Sequence, residues 1–276
     1  MDHFGLPSIK PFFDGFLSGY RSFLALIQST FILNNEEKDS LKWAFSTLNT
    51  RCVYVDYMDK TKSIPDGKFF FNDSGNVALI PFFDLFNHSP SVNVQLKFDK
   101  NLLHVISDTS VSKGDQVFIN YGPHDNLTLL AEYGFCYPNN PHDSVQIDKT
   151  TFNRVFPLIN EETVFSILGI DSAKDWRKLI FLTSQSPSYC ALLLAHCSHN
   201  IEFGDLYSLD EDELNAKYKL SFEKLAQHLL AEICVGLEEL INAKDKQINQ
   251  SCKYFCDNLI FYFKEQKMLL NKFLHN

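Results

Sequence analysis

Apolar residues alternate at short range in the first half of the chain and recur at helical spacing in the second, a change that one layer of like elements cannot accommodate. Val94, Leu96 and Phe98 alternate, and Leu103 and Val105 continue the pattern beyond Asp99 and Asn101, so this stretch predicts a β-hairpin. Shorter β-like pieces flank it at Val77 to Ile80 and Val117 to Ile119. Turn signals set them off at Pro65, Asp66 and Gly67 and at Lys113, Gly114 and Asp115. Upstream, an Asn cap at position 35 precedes Glu36 and Glu37, with Leu41, Phe45 and Leu48 at helical spacing; this predicts an amphipathic helix ending near Arg51. Downstream, Leu225, Leu229, Ile233, Leu237 and Leu240 share one face of a long helix. The pattern breaks at Pro138 to Pro141. An α+β chain is expected, with a mixed domain over residues 1–147 and an all-helical domain over 148–276.

With 276 residues and 45% hydrophobic content, the chain can bury more than one core. Its formal charge of −9 argues against a partner gripped through nucleic-acid phosphates and suits a basic peptide or protein. Seven cysteines form no CxxC pair, so neither a disulfide framework nor a zinc ribbon is expected, and reduced thiols point to the cytoplasm or nucleus. No apolar stretch reaches membrane-spanning length, and the start at Met1, Asp2 and His3 lacks the basic opening of a secretory signal; no membrane partner is expected. His196, Cys197 and His199, with Cys190 upstream, look like metal ligands. Cys190, Leu194 and Cys197 nevertheless share one face of an apolar helix, so core packing and no metal is the expectation, as for Cys252 and Cys256. The acidic run from Asp210 to Glu213 is expected to open a helix.

Three polar clusters stand out: Asn49-Thr50-Arg51, then Asp84-Leu85-Phe86-Asn87-His88-Ser89, then Asn120-Tyr121-Gly122 followed by Glu132-Tyr133-Gly134-Phe135. Each alone is ordinary, since an Arg at a helix end is usually a solvated cap and a strand-end Tyr usually packs in a core or rim. In this order, however, they resemble the SET-domain fold, in the branch related to the methyltransferase of the Rubisco large subunit. The resemblance is close from about Trp43 to Val145 and looser over the helical remainder, which is similar to the substrate-binding domain of that family.

The resemblance implies methyl transfer from S-adenosylmethionine to a protein side-chain nitrogen, usually of lysine, with histone tails among the implied substrates. Such a displacement requires a neutral amine, alignment with the methyl group, and exclusion of water. Tyr121 matches the catalytic tyrosine of the family, which orients the reactants and stabilises developing charge by its hydroxyl dipole. A phenol with a reference pKa of about 10 stays protonated at neutral pH, so Tyr121 is not assigned as a strong base. Asn87 and His88 match the cofactor-holding segment, whose side chains lock a knot-like threading. Asp84 opens that segment, and Arg51 matches a basic position facing the cofactor carboxylate. Tyr133 matches an aromatic wall of the lysine channel, and Phe135 a ring near the adenine. Val53 falls in a region lining the acceptor pocket, where an apolar residue leans toward lysine.

Family members open their catalytic domain with a strand and a Gly-rich turn that includes Gly-x-Gly, whereas this sequence contains no Gly-x-Gly. Its first forty residues, rich in Phe and Leu around Pro11 to Phe31, look like the end of the helical insertion that follows that turn. The expectation is therefore the C-terminal portion of a SET domain, preceded by a helical insertion and followed by a Rubisco-methyltransferase-like substrate-binding domain. Two other readings stay open, a non-catalytic protein-binding module and a protein-histidine methyltransferase.

Overall fold

The computed structural model describes residues 10–54, 77–99, 102–158, 162, 165–166, 169, 176–199, 209–244 and 250–276. The fold is α+β, and the chain divides into a mixed unit of Asp14–His124 with Ala131–Tyr133 and a helical unit built on Asp125–Leu130 and Gly134–Asn276. The turn expected at Pro65, Asp66 and Gly67 lies outside the described residues.

Helix α1 (Lys10–Gln28), which enters the mixed unit at Asp14, leads to helix α2 (Asn35–Arg51). Tyr20 and Phe23 of α1 both meet Phe45 of α2, with ring centroids 5.5 and 5.4 Å apart. The cap of α2 is Asn34, one residue before the expected position. Its backbone is extended, its side chain accepts from the Glu37 N–H at 2.9 Å, and the Glu37 carboxylate accepts the Asn34 N–H at 2.8 Å. This reciprocal pair satisfies two of the orphan donors at the helix start.

Strand β1 (Val53–Tyr54) pairs antiparallel with β2 (Val77–Ala78). Strand β3 is Asn87–His88, and β4 (Val94–Asp99) and β5 (Leu102–Ser107) form the expected hairpin. In its backbone register Leu96 pairs with Val105 and Phe98 with Leu103. Strand β6 (Phe118–Ile119) then returns to pair parallel with β3, Asn87 against Phe118 and His88 against Ile119. A parallel pair requires a crossover, and the β4–β5 hairpin supplies it.

In the helical unit, β7 (Val145–Gln146) pairs antiparallel with β8 (Phe181–Leu182). Around them stand α3 (Lys149–Val155), α4 (Tyr189–His199), α5 (Glu211–Lys244) and α6 (Gln250–His275). Asp148 caps α3 through the Thr151 N–H at 3.0 Å, and Asp210 caps α5 through the Glu213 N–H at 3.0 Å, so the acidic run opens a helix as expected. Leu225, Leu229, Ile233, Leu237 and Leu240 are all buried along α5. Phe152, Phe156 and Phe222 are wholly enclosed, each contributing roughly 1.5–3 kcal/mol of transfer free energy. Cys197 is buried in this core, and the His196 ring meets the Tyr218 hydroxyl at 3.3 Å.

One polar knot lies inside the helical unit. The Asp143 carboxylate accepts from the backbone N–H and side-chain amide of Asn126 at 3.0 and 2.9 Å, from the Ser144 N–H at 3.1 Å and from Gln266 at 3.3 Å. Burial nonetheless pushes its carboxyl up to about 6. Among the described residues no helix is long and apolar enough to cross a membrane.

Candidate active site

The parallel pairing of β3 with β6 sets the segment ending in His88 beside the turn that carries Tyr121. His88 is buried, and its Nδ1 accepts the Tyr121 N–H at 3.1 Å. That nitrogen therefore carries no proton, which fixes the imidazole tautomer. The Tyr121 hydroxyl donates to the Phe86 carbonyl at 2.7 Å. Backbone and side chain of Tyr121 are thus both tied to the Phe86–His88 segment.

The next residue, Gly122, holds a φ of 132°, which side-chain-bearing residues rarely adopt. Its N–H donates to the Asn120 side chain at 2.9 Å, closing the turn that aims the Tyr121 ring inward. On the facing side, Phe82 adopts a φ of 71°, an uncommon state for a bulky residue, immediately before the turn Phe83–Leu85 that presents Asp84. At the end of α2, Arg51 donates from its guanidinium to the Asp84 carbonyl at 2.6 Å. Only one of its five N–H donors is needed there.

These groups bound a cavity of about 480 Å³. Arg51, Val53, Asp84, Tyr121 and Tyr133 line it together, so five of the positions singled out in the sequence converge. His88 packs behind Tyr121 with ring centroids 5.1 Å apart, and Asn87 beside it is exposed. Phe135 belongs to the helical unit, where it is half-buried and its N–H reaches the Leu129 carbonyl at 3.4 Å. It is not among the residues lining this cavity.

Tyr133 arrives on the last turn of a π-helical segment, Leu129–Tyr133, and its ring lies 5.0 Å from that of Tyr121. Burial raises the phenol of Tyr121 above its ordinary value, partly opposed by the nearby Arg51 charge. Burial likewise raises that of Tyr133, reinforced by Glu132 and Tyr121. Both hydroxyls are therefore protonated at neutral pH. The arrangement offers a protonated phenol, a guanidinium with donors to spare, and an aromatic wall along one partly open cavity.

Two participants escaped the sequence reading. The Phe86 carbonyl could not be found from side-chain identity, because its contact with Tyr121 is a main-chain one. His124 lines the cavity, and its Nε2 meets the Tyr121 carbonyl at 3.1 Å. The signal for it was its place two residues after Gly122, where the chain doubles back: the His124 N–H donates to the Gly122 carbonyl at 2.9 Å.

Comparison with known families agrees with this geometry. Residues 21–122 match the SET domain. The chain is 35% identical over 113 residues to the ribosomal lysine N-methyltransferase set11 of Schizosaccharomyces pombe, covering 41% of this chain and 27% of that protein. It is 41% identical over 113 residues to SET domain-containing protein 4 of Artemia parthenogenetica, covering 40% and 27%. Its 34% identity to the N-lysine methyltransferase setd6 of Danio rerio extends over 198 residues, covering 62% and 42%. The strand pairing and the cavity around Tyr121 therefore lie in a SET domain. The chain carries a SET domain over residues 21–122 and spans less than half the length of these relatives.

Proposed function

We propose that the protein is an S-adenosylmethionine-dependent protein-lysine N-methyltransferase whose reaction takes place in the cavity around Tyr121. The observation that carries this reading is the Tyr121 hydroxyl, whose hydrogen is committed to the Phe86 carbonyl while its ring faces Tyr133 across 5.0 Å. When bound, the cofactor supplies an electrophilic methyl group on a sulfonium sulfur.

The residues present suit that partner. Hydroxyl and carbonyl oxygens around Tyr121 make an electronegative lining for a methyl group bearing partial positive charge. The spare N–H groups of Arg51 fit a carboxylate bidentately, and Asn87 and His88 hold the segment that carries the Phe86 carbonyl. Val53 and Leu96 line the cavity with the faces of Tyr121 and Tyr133, a sheath for an aliphatic stem that tolerates a cationic head. An apolar Val53 favours a lysine acceptor over a histidine, whose second ring nitrogen needs a polar partner. With its phenol raised by burial, Tyr121 is no base; the lysine proton passes to water before its nitrogen lone pair attacks. Histone tails and ribosomal proteins, both rich in lysine, are the acceptor class we favour, and the acidic balance of −9 suits them.

The test is transfer of labelled methyl groups from S-adenosylmethionine to core histones and ribosomal proteins, located by mass spectrometry. Tyr121→Phe should reduce transfer at least about a hundredfold with cofactor binding changed only a few-fold. Undiminished transfer in that variant would remove Tyr121 from the mechanism. A second reading, capture of a protein partner without catalysis, is favoured by a separate cleft of about 590 Å³ in the helical unit, lined by Leu229, Ile233, Tyr262 and Phe263. Calorimetry separates the two: no binding of S-adenosylmethionine beside retained partner binding would favour the second.

A further inference from the structure

Among the described residues that line the cavity around Tyr121, Arg51 and Asn120 alone are exposed, so these two stand at its rim. Both carry donors that the fold does not use up. Arg51 gives one N–H to the Asp84 carbonyl. The side-chain oxygen of Asn120 accepts the Gly122 N–H at 2.9 Å, while its amino group meets no acceptor among the described residues. A carboxamide is flat and rigid, so holding its oxygen in the Gly122 turn also fixes where its two N–H donors stand.

The two rim donors suit different acceptors. A guanidinium favours an anion, and the fork of Arg51 matches a carboxylate. A neutral amide suits a neutral acceptor such as a peptide carbonyl. The rest of the lining is half-buried or buried and includes the apolar and aromatic groups Val53, Leu96 and Tyr133. A lysine stem that fills this space leaves its own main chain outside, at the rim, with one carbonyl on either side of the stem.

We propose that Asn120 is a substrate-binding residue whose side-chain amide donates to a main-chain carbonyl beside the acceptor lysine, fixing how deeply the stem enters. The inference rests on the methyltransferase reading. Every residue has a carbonyl, so this contact reads no sequence and sets register alone. The same side chain closes the turn next to Tyr121, which refers the peptide main chain and the phenol to one rigid group.

Two variants of the full chain separate the two ends of the amide. Asn120→Asp keeps an oxygen for the Gly122 N–H and removes both donors, whereas Asn120→Ala removes both functions. The acceptor is a synthetic peptide centred on a lysine that the wild type methylates in core histones or ribosomal proteins. It is made with ordinary amides and again with a backbone ester on either side of that lysine, because an ester carbonyl is the weaker acceptor. With the wild type, one of the two esters should raise KM about threefold to tenfold while kcat changes less than about twofold. In Asn120→Asp that penalty should disappear, a comparison within one variant that cancels any general effect of the new charge. Binding of S-adenosylmethionine to Asn120→Asp should stay within about twofold of the wild type. If Asn120 serves only the turn, Asn120→Asp keeps the ester penalty of the wild type and only Asn120→Ala slows kcat. That outcome overturns the proposal, as does weakened cofactor binding in Asn120→Asp with the ester penalty intact. Absence of methyl transfer by the wild type sinks the methyltransferase reading itself, and this contact with it.

Discussion

In the helical unit Phe152, Phe156, Phe222 and Leu225 are wholly enclosed, whereas in the mixed unit Phe83, Ile119, His88 and Ser89 are the buried residues among those described. Two of those four are polar, and both adjoin the site. The mixed unit also leaves Ile32, Trp43 and Phe82 largely in solvent. Close packing therefore shapes one unit, and directed polar contacts shape the other. A core tolerates loss of volume poorly because its neighbours relax only in part, while an array of hydrogen bonds fails one donor at a time.

The contrast is sharpest under large-to-small substitution. Phe152→Ala, which removes a ring 5.1 Å from Phe156 and 5.5 Å from Trp176, should cost about 3–5 kcal/mol in denaturant unfolding. A loss near 1 kcal/mol would mean that the helical core is looser than its burial implies. Next comes the buried acid. With its folded value raised to about 6, Asp143 favours folding while protonated, so its contribution is full below about pH 4 and is lost as pH rises through about 6. Stability relative to Asp143→Asn should thus fall by about 2–3 kcal/mol between pH 4 and 7, followed as the difference in melting free energy. A pH-independent difference would show that its four donors outweigh desolvation.

Effects in the mixed unit should be smaller. Asn34→Ala, which dismantles the capping box of α2, should cost about 1 kcal/mol, with exchange of the Glu37 amide accelerated. Trp43→Ser, at a side chain 71% exposed, should stay within about 0.5 kcal/mol. The comparison breaks if Trp43→Ser proves as damaging as Phe152→Ala.

Periodicity made the larger elements legible. The β4–β5 hairpin and the buried face of α5 follow from spacings of two and of three to four residues, which report directly which side of an element meets apolar neighbours. The cap of α2 was misplaced by one because Asn34 and Asn35 are chemically equivalent, and only the extended backbone of Asn34 distinguishes them. At the site, the ordered motifs singled out Arg51, Asp84 and Tyr121, and the structure brings all three to one cavity. The same method is blind to the Phe86 carbonyl and passed over His124, whose significance depends on a glycine turn that folds it back toward Tyr133. Phe135 shows the converse, since adjacency in sequence to Tyr133 did not keep it in the same unit.

The parallel pairing of β3 with β6 also dictates an order of assembly. The β4–β5 hairpin closes locally, on a scale of about 1–10 μs for such elements, while Asn87 and Phe118 must find each other across everything that hairpin contains. Tyr121 reaches the Phe86 carbonyl only after that rendezvous. The cavity around Tyr121 is therefore completed late, and on gentle warming the contact of Tyr121 with Phe86 should be lost while most of the helical signal persists.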